Sequence, residues 1–62
     1  MMYVVMFCNG YEYLKDENMK IFGDYENAYG YAKHLNDEIA MANNCKVADL
    51  GDYYDVIDCE FN

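Results

Sequence analysis

A chain of 62 residues has room for one hydrophobic core, and 55% hydrophobic with 18% aromatic residues is too apolar for a disordered acidic tail. Its 12 acidic and 4 basic residues give a formal net charge of -8, and Arg, Ser, Thr, Gln, Pro and Trp are all absent. This composition excludes hydroxyl nucleophiles other than tyrosine, and four lysines without arginine disfavour direct binding of nucleic acid.

The first half of the chain predicts short strands. Met2 to Cys8 is rich in β-branched and aromatic residues, which favours a strand. Asn9-Gly10 tolerates the positive φ angles of a two-residue type I′ turn, so a returning strand is expected over Tyr11 to Lys15. The polar residues 16–18 indicate a second turn, after which Met19 to Phe22 can form a short third strand.

From Asp24 the apolar residues follow a helical period. Asp24 is a natural N-cap, Glu26 suits the positive end of the helix dipole, and Asn43-Asn44 is a plausible stop, which predicts a helix over residues 24–42. The predicted apolar stripe recurs at steps of three and four residues and consists of Tyr25, Ala28, Tyr29, Ala32, Leu35 and Ile39.

The last quarter of the chain predicts a turn and a strand. Asp49 to Asp52 form a turn around Gly51, and Tyr53 to Phe61 return to strand character. The order β-β-(β)-α-β defines an α+β fold in which a small antiparallel sheet packs on one helix. Residues 1–62 are expected to form a single domain.

The hairpin pattern bears on assembly, because both faces of the predicted sheet are apolar and one helix can cover only one of them. A two-residue turn would place Cys8 opposite Tyr11 and Met6 opposite Tyr13. The alternative is that large tyrosines shield the second face without a partner. We expect a homodimer through the sheet, with an interface formed by Val4, Met6, Cys8, Tyr11 and Tyr13.

Metal chemistry is the weaker alternative. Cys8, Cys45 and Cys59 with His34 contain the ligand types of a structural zinc site, but their scattered spacing favours free thiols instead. The acids at every third position from Asp49 do not match a calcium loop. We expect no cofactor and no enzymatic activity.

The odd number of cysteines, without a secretory pattern, favours a reducing, cytoplasmic compartment.

Negative charge is concentrated at the end of the chain. Residues 47–62 hold five acids and no base, a net charge of -5 out of -8. Exposed tyrosines beside acids are typical of binding surfaces. The alternative is that these acids form only a solvated surface. We therefore expect a partner-binding surface, alongside Tyr31, formed by Asp37, Glu38, Asp49, Asp52, Tyr53, Tyr54, Asp55, Asp58 and Glu60.

Several segments together carry a resemblance: Y-V-V (3–5), Asn9-Gly10, F-G-D-Y-E-N-A-Y-G-Y-A-K-H-L-N (22–36) and Y-D-V-I (54–57). This arrangement resembles short hairpin, helix, strand proteins found among bacteriophage open reading frames. The extreme acidity and the lack of arginine are similar to phage DNA-mimic proteins. That resemblance implies an inhibitor that occupies the nucleic-acid groove of a basic host protein.

The sequence therefore predicts a phage-type acidic inhibitor that competes with DNA for a basic host DNA-binding protein, for example a histone-like nucleoid protein. It would act in the host bacterial cytoplasm, without contacting nucleic acid or a membrane. The alternative is a small adaptor that binds a protein partner through its tyrosine-rich sheet face or its free sheet edge.

Overall fold

Four strands and one long helix account for most of the chain in a computed structural model that describes residues 1–59. The predicted α+β fold is confirmed, including the short third strand. In chain order the elements are β1 (Met2–Cys8), β2 (Tyr13–Leu14), β3 (Lys20–Phe22), α1 (Tyr25–Ala42), a short 3-10 helix (Val47–Asp49) and β4 (Tyr53–Cys59).

β1 is the centre of the antiparallel sheet, because it pairs with all three other strands. β4 pairs with β1 along its whole length, from Met2 opposite Cys59 to Cys8 opposite Tyr53. A strand has only two edges, so β2 and β3 lie end to end along the other one. Residues 15–19 form a loop that projects from the sheet between β2 and β3, and we refer to this loop as the bulge. The predicted strand over Tyr53 to Phe61 is confirmed as far as Cys59, and its last two residues lie outside the described part of the chain.

The predicted hairpin register is wrong. Cys8 lies opposite Tyr13, and Phe7 lies opposite Leu14, so four residues (9–12) connect the strands where two were expected. The side chain of Asn9 explains the longer loop, because its Oδ1 accepts hydrogen bonds from the backbone N–H groups of residues 11 and 12, both at 3.0 Å. Gly10 takes a φ of 91°, which suits glycine.

The helix begins and ends where the sequence predicts. The side chain of Asp24 accepts a hydrogen bond from the backbone N–H of Asn27 at 2.8 Å, and Asn43 is the C-cap. Asn44 follows in the left-handed conformation, with a φ of 53°. No helix among residues 1–59 is long and apolar enough to cross a bilayer.

The helix packs on one face of the sheet only. The core there consists of Val5, Ala28, Ala32 and Tyr54, with Leu35 and Ile39 of the helix packed against it. Alanines at the contact let the helix approach the sheet closely. Since Val5 faces the helix, alternation along β1 turns Val4 and Met6 to the opposite face. We refer to that opposite side of the sheet as the open face.

Candidate protein-binding surface

The open face collects apolar side chains from all four strands. Residues that lie opposite each other in antiparallel strands project to the same side of the sheet, so the register assigns the whole face. It consists of Met2, Val4, Met6 and Cys8 of β1, Tyr13 of β2, Ile21 of β3, and Tyr53, Asp55, Ile57 and Cys59 of β4. No element among residues 1–59 covers it.

Burial differs sharply across this face. Val4 and Cys8, on the central strand, are only 7% and 6% exposed, because the neighbouring strands flank them. Ile21 is 49% exposed and Met2 37%. The end of the open face around Met2 and Ile21, which we call its apolar end, therefore presents apolar side chains to solvent, whereas the end around Cys8 presents Tyr13, which is also 49% exposed.

Two tyrosines flank the buried Cys8 at the other end of the open face. The hydroxyl of Tyr13 donates a hydrogen bond to Oδ2 of Asp55 at 3.1 Å, so this side chain reaches from β2 across β1 to β4. That hydrogen bond, aided by the carboxylate charge, raises the pKa of Tyr13. Tyr53, on β4, lies opposite Cys8, and a hydrogen bond with the Cys8 thiol raises the pKa of Tyr53. The expected shielding by tyrosine thus exists, but over only half of the face.

The predicted dimer interface maps to this surface with one exception. Val4, Met6 and Cys8 lie on the open face, and Tyr13 joins them in spite of the changed register. Tyr11 is in the hairpin loop, 97% exposed, and belongs to no strand. Its assignment to the sheet followed from the two-residue turn and is wrong. Sequence reasoning missed Ile21 and Ile57, because the face they occupy depends on how their strands pair with β1.

The acids predicted to bind a partner do not form one row. Asp55 lies on the open face, whereas Asp58, opposite Tyr3, lies on the face that the helix covers. Asp49 ends the 3-10 helix, and Asp52 lies in the loop that follows it. A step of three residues along a strand always reverses the side, which is why the spacing does not produce a row. Glu60 lies outside the described residues.

The two helical acids have partners within the helix. Asp37 accepts a hydrogen bond from Lys33 at 2.9 Å, and this ion pair raises the pKa of the lysine. Glu38 lies 3.1 Å from His34. Both pairs span one helical turn and are exposed, so each contributes little to stability. Whether these acids contact a partner stays a prediction.

Tyr54 is not the exposed tyrosine that was expected beside these acids. It is 7% exposed and packs edge-on against Phe7, with ring centroids 5.3 Å apart. Its hydroxyl donates to Oδ2 of Asp16 and accepts a hydrogen bond from Asn18 at 3.0 Å. Burial raises its pKa. Tyr31 supports the same bulge, since its hydroxyl donates to the Asn18 carbonyl at 2.8 Å. Tyr54 is a structural residue that anchors the bulge to the core.

The cysteines do not converge. Cys8 is buried, Cys59 partly buried and Cys45 exposed, and all three are free thiols. Within residues 1–59, no three His, Cys, Asp or Glu side chains come together in a way that would hold a metal ion.

Comparisons of the chain with protein-family models, with curated proteins and with solved structures found no match. The resemblance to phage DNA mimics therefore stays a prediction.

Proposed function

We propose that this chain is a non-enzymatic protein-binding domain and that the open face is its contact surface. The observation that carries this proposal is the one-sided packing of the helix, which leaves Met2 and Ile21 exposed and Met6 partly exposed on the open face. A sheet with two apolar faces and one helix normally buries the second face against another chain. Methionine suits such a surface, because its flexible side chain adapts to different partners.

In the absence of another protein, we propose that two copies pair through the open face. Seven residues at about 3.3 Å, by three strands about 4.8 Å apart, give a face of roughly 23 Å by 14 Å. This flat footprint of about 320 Å² is small beside a standard interface, which buries roughly 800 Å² of accessible surface per partner. The homodimer should therefore be weak, with a dissociation constant in the micromolar range or above.

The partner is sought in a bacterial lysate, with the tagged chain as bait and matched variants as controls. Ile21→Glu places a charge on the open face, and we expect it to abolish capture of a partner that the wild-type chain retains at high salt. Met41→Glu makes the same kind of change at a helical residue that is 80% exposed, away from the sheet. Equal capture by wild type and Ile21→Glu would contradict the proposal.

A second candidate is the acidic inhibitor that competes with DNA for a basic host protein in the bacterial cytoplasm. The exposure of three acids, Asp49, Asp52 and Asp58, supports it, although they lie on different elements and form no single row. The net charge of -8 would steer such a partner toward the chain.

The inhibitor hypothesis is tested by salt and by neutral isosteres. Binding to a histone-like nucleoid protein should weaken steeply with salt, and more so when Asp49, Asp52 and Asp58 are replaced by Asn. The matched control replaces Glu12, Glu17 and Glu26 by Gln, which removes the same charge elsewhere on the surface. If both triple variants lose the same affinity, the chain acts only through its net charge. Binding that ignores salt would exclude mimicry.

A further inference from the structure

The outer edge of β4, which faces away from β1, is partly closed by a side chain that imitates a strand. Nδ2 of Asn36 donates to the carbonyl of Tyr54 at 2.9 Å, and the N–H of Tyr54 donates to Oδ1 of Asn36 at 2.7 Å. These are the two hydrogen bonds that a neighbouring strand would make. They also establish that the backbone groups of Tyr54 point outward, away from β1.

Outward-pointing groups recur at every second residue of an antiparallel edge, so Val56 and Asp58 present theirs on the same side. The N–H of Val56 bonds to Oδ1 of Asp55 at 2.9 Å. Nothing else in the described part of the chain pairs with the carbonyl of Val56 or with the N–H and carbonyl of Asp58. Asp58 thus offers the donor and acceptor that one antiparallel bridge requires.

A groove of about 300 Å³ lies between α1 and β4 and meets β4 at Tyr54, Asp55 and Val56. Val56 and Val47 contribute apolar side chains to its lining. Tyr25 and Tyr29 form the helical wall, and they are 50% and 52% exposed, with stacked rings whose centroids lie 6.0 Å apart. An apolar side chain of an added strand would enter the groove on the helix side of the sheet.

The charge around the edge selects the other side chains of such a strand. Asp55 lines the groove, and its side chain belongs to the open face, where it accepts hydrogen bonds from the Tyr13 hydroxyl and the Val56 N–H. The groove's one lysine, Lys33, is held by Asp37 at 2.9 Å. An added strand with basic residues facing Asp55 and apolar residues facing the groove is therefore complementary to this edge.

We propose that the outer edge of β4 at Val56–Asp58 is a strand-addition site for an extended segment of a partner protein that alternates apolar and basic residues. The segment pairs antiparallel to β4, and its apolar side chains contact Tyr25 and Tyr29. This inference rests on the proposed function as a protein-binding domain, but it uses the outer edge of β4, whereas the open-face proposal is tested at Ile21 on β3, along the opposite edge of the sheet.

The test uses a short acetylated and amidated peptide that alternates lysine and valine, titrated into the isotope-labelled chain and followed by amide chemical shifts. We expect the largest shifts at Val56–Asp58 and around Tyr25 and Tyr29. A peptide of the same sequence, N-methylated at its valines, keeps every charge but loses the backbone donors. It should bind about three- to tenfold more weakly.

Variants of the protein at Asp58 test the same hydrogen bonds, with the affinity for the unmodified peptide as the measurement. Asp58→Pro removes an outward N–H that β1 does not use, and edge strands tolerate such a proline. Asp58→Asn removes the charge and keeps the N–H. We expect Asp58→Pro to lose most of the peptide affinity and Asp58→Asn to stay within about twofold of wild type. If the proline variant does not fold, the affinities of the two peptides for the wild-type chain still test whether strand addition occurs.

Three results would overturn the inference: equal affinity for both peptides, unchanged binding to folded Asp58→Pro, or shifts confined to the open face around Met6 and Ile21. Self-association that Asp58→Pro abolishes would instead assign the edge to a second copy of the chain. Failure of the open-face proposal is recognised separately, because only that proposal depends on Ile21→Glu.

Discussion

At the scale of single residues, Tyr54 connects three parts of the chain to β4, through its hydroxyl, its ring and its backbone. It joins β4 to Asp16 and Asn18 in the bulge, while its ring packs against Phe7 and the helix holds its backbone through Asn36. Partly buried hydrogen bonds of this kind contribute on the order of 1 kcal/mol each. The bulge should therefore depend on this hydroxyl for its order.

Tyr54→Phe removes the hydroxyl and keeps the ring. We expect the free energy of unfolding to fall by about 1–2 kcal/mol, with faster amide exchange at Asn18 and Met19, because Asp16 and Asn18 lose a shared partner. Urea unfolding and hydrogen exchange measure both effects. Tyr11→Phe is the control, since Tyr11 is 97% exposed and its loss should change stability by less than about 0.5 kcal/mol. Equal effects of the two variants would refute this role.

The pair of Tyr13 and Asp55 predicts a dependence on pH. A raised pKa in the folded state means that the pair stabilises the fold below the ordinary tyrosine pKa of about 10, and that this contribution is lost as the pH rises through the folded value. Asp55→Asn should lower the pKa of Tyr13, whereas Asp58→Asn, on the other face, should not. An NMR titration of the Tyr13 ring measures this pKa. An unchanged pKa of Tyr13 in Asp55→Asn would disprove the pairing.

At the scale of elements, Gly10 and Gly30 differ in whether their position requires glycine. Gly10 has a φ of 91°, and Gly30 lies inside the helix with nothing within 4 Å of the site of an added Cβ. Gly10→Ala should lower the free energy of unfolding by about 1–2 kcal/mol, and Gly30→Ala should raise it by about 0.5–1 kcal/mol. Thermal or urea unfolding measures both. A stabilising Gly10→Ala would contradict the loop geometry.

Elements differ in how far the sequence determines them. The ends of α1 follow from local chemistry at Asp24 and Asn43, and the first strand from its composition, so both are predictable. The hairpin is not, because the Asn9 side chain stabilises a four-residue loop that competes with the two-residue turn. The contacts of Asn36 and Tyr54 are not predictable either, because their hydrogen-bond partners lie far away in the sequence. The candidate surface depends on strand pairing, so its β1 residues were predictable and Ile21 and Ile57 were not.

At the scale of the whole molecule, net charge and apolar surface have opposite effects on self-association. Two copies that meet through their open faces bring together net charges of -8 each, and among residues 1–59 Asp55 is the only charged residue on that face. Salt screens this repulsion over roughly 8–10 Å. Self-association should therefore strengthen as salt rises, whereas binding to a basic partner weakens. The opposite response of the two processes separates the two candidate functions.

Light scattering over a range of protein concentrations, at low and at high salt, tests the central claim most directly. The open face as a contact surface predicts a mass that rises from 7.3 kDa toward twice that value with concentration, more steeply at high salt. Ile21→Glu should remain a monomer, and Met41→Glu should behave as the wild type. A wild-type chain that stays at 7.3 kDa throughout, or a dimer that Ile21→Glu leaves intact, would contradict it.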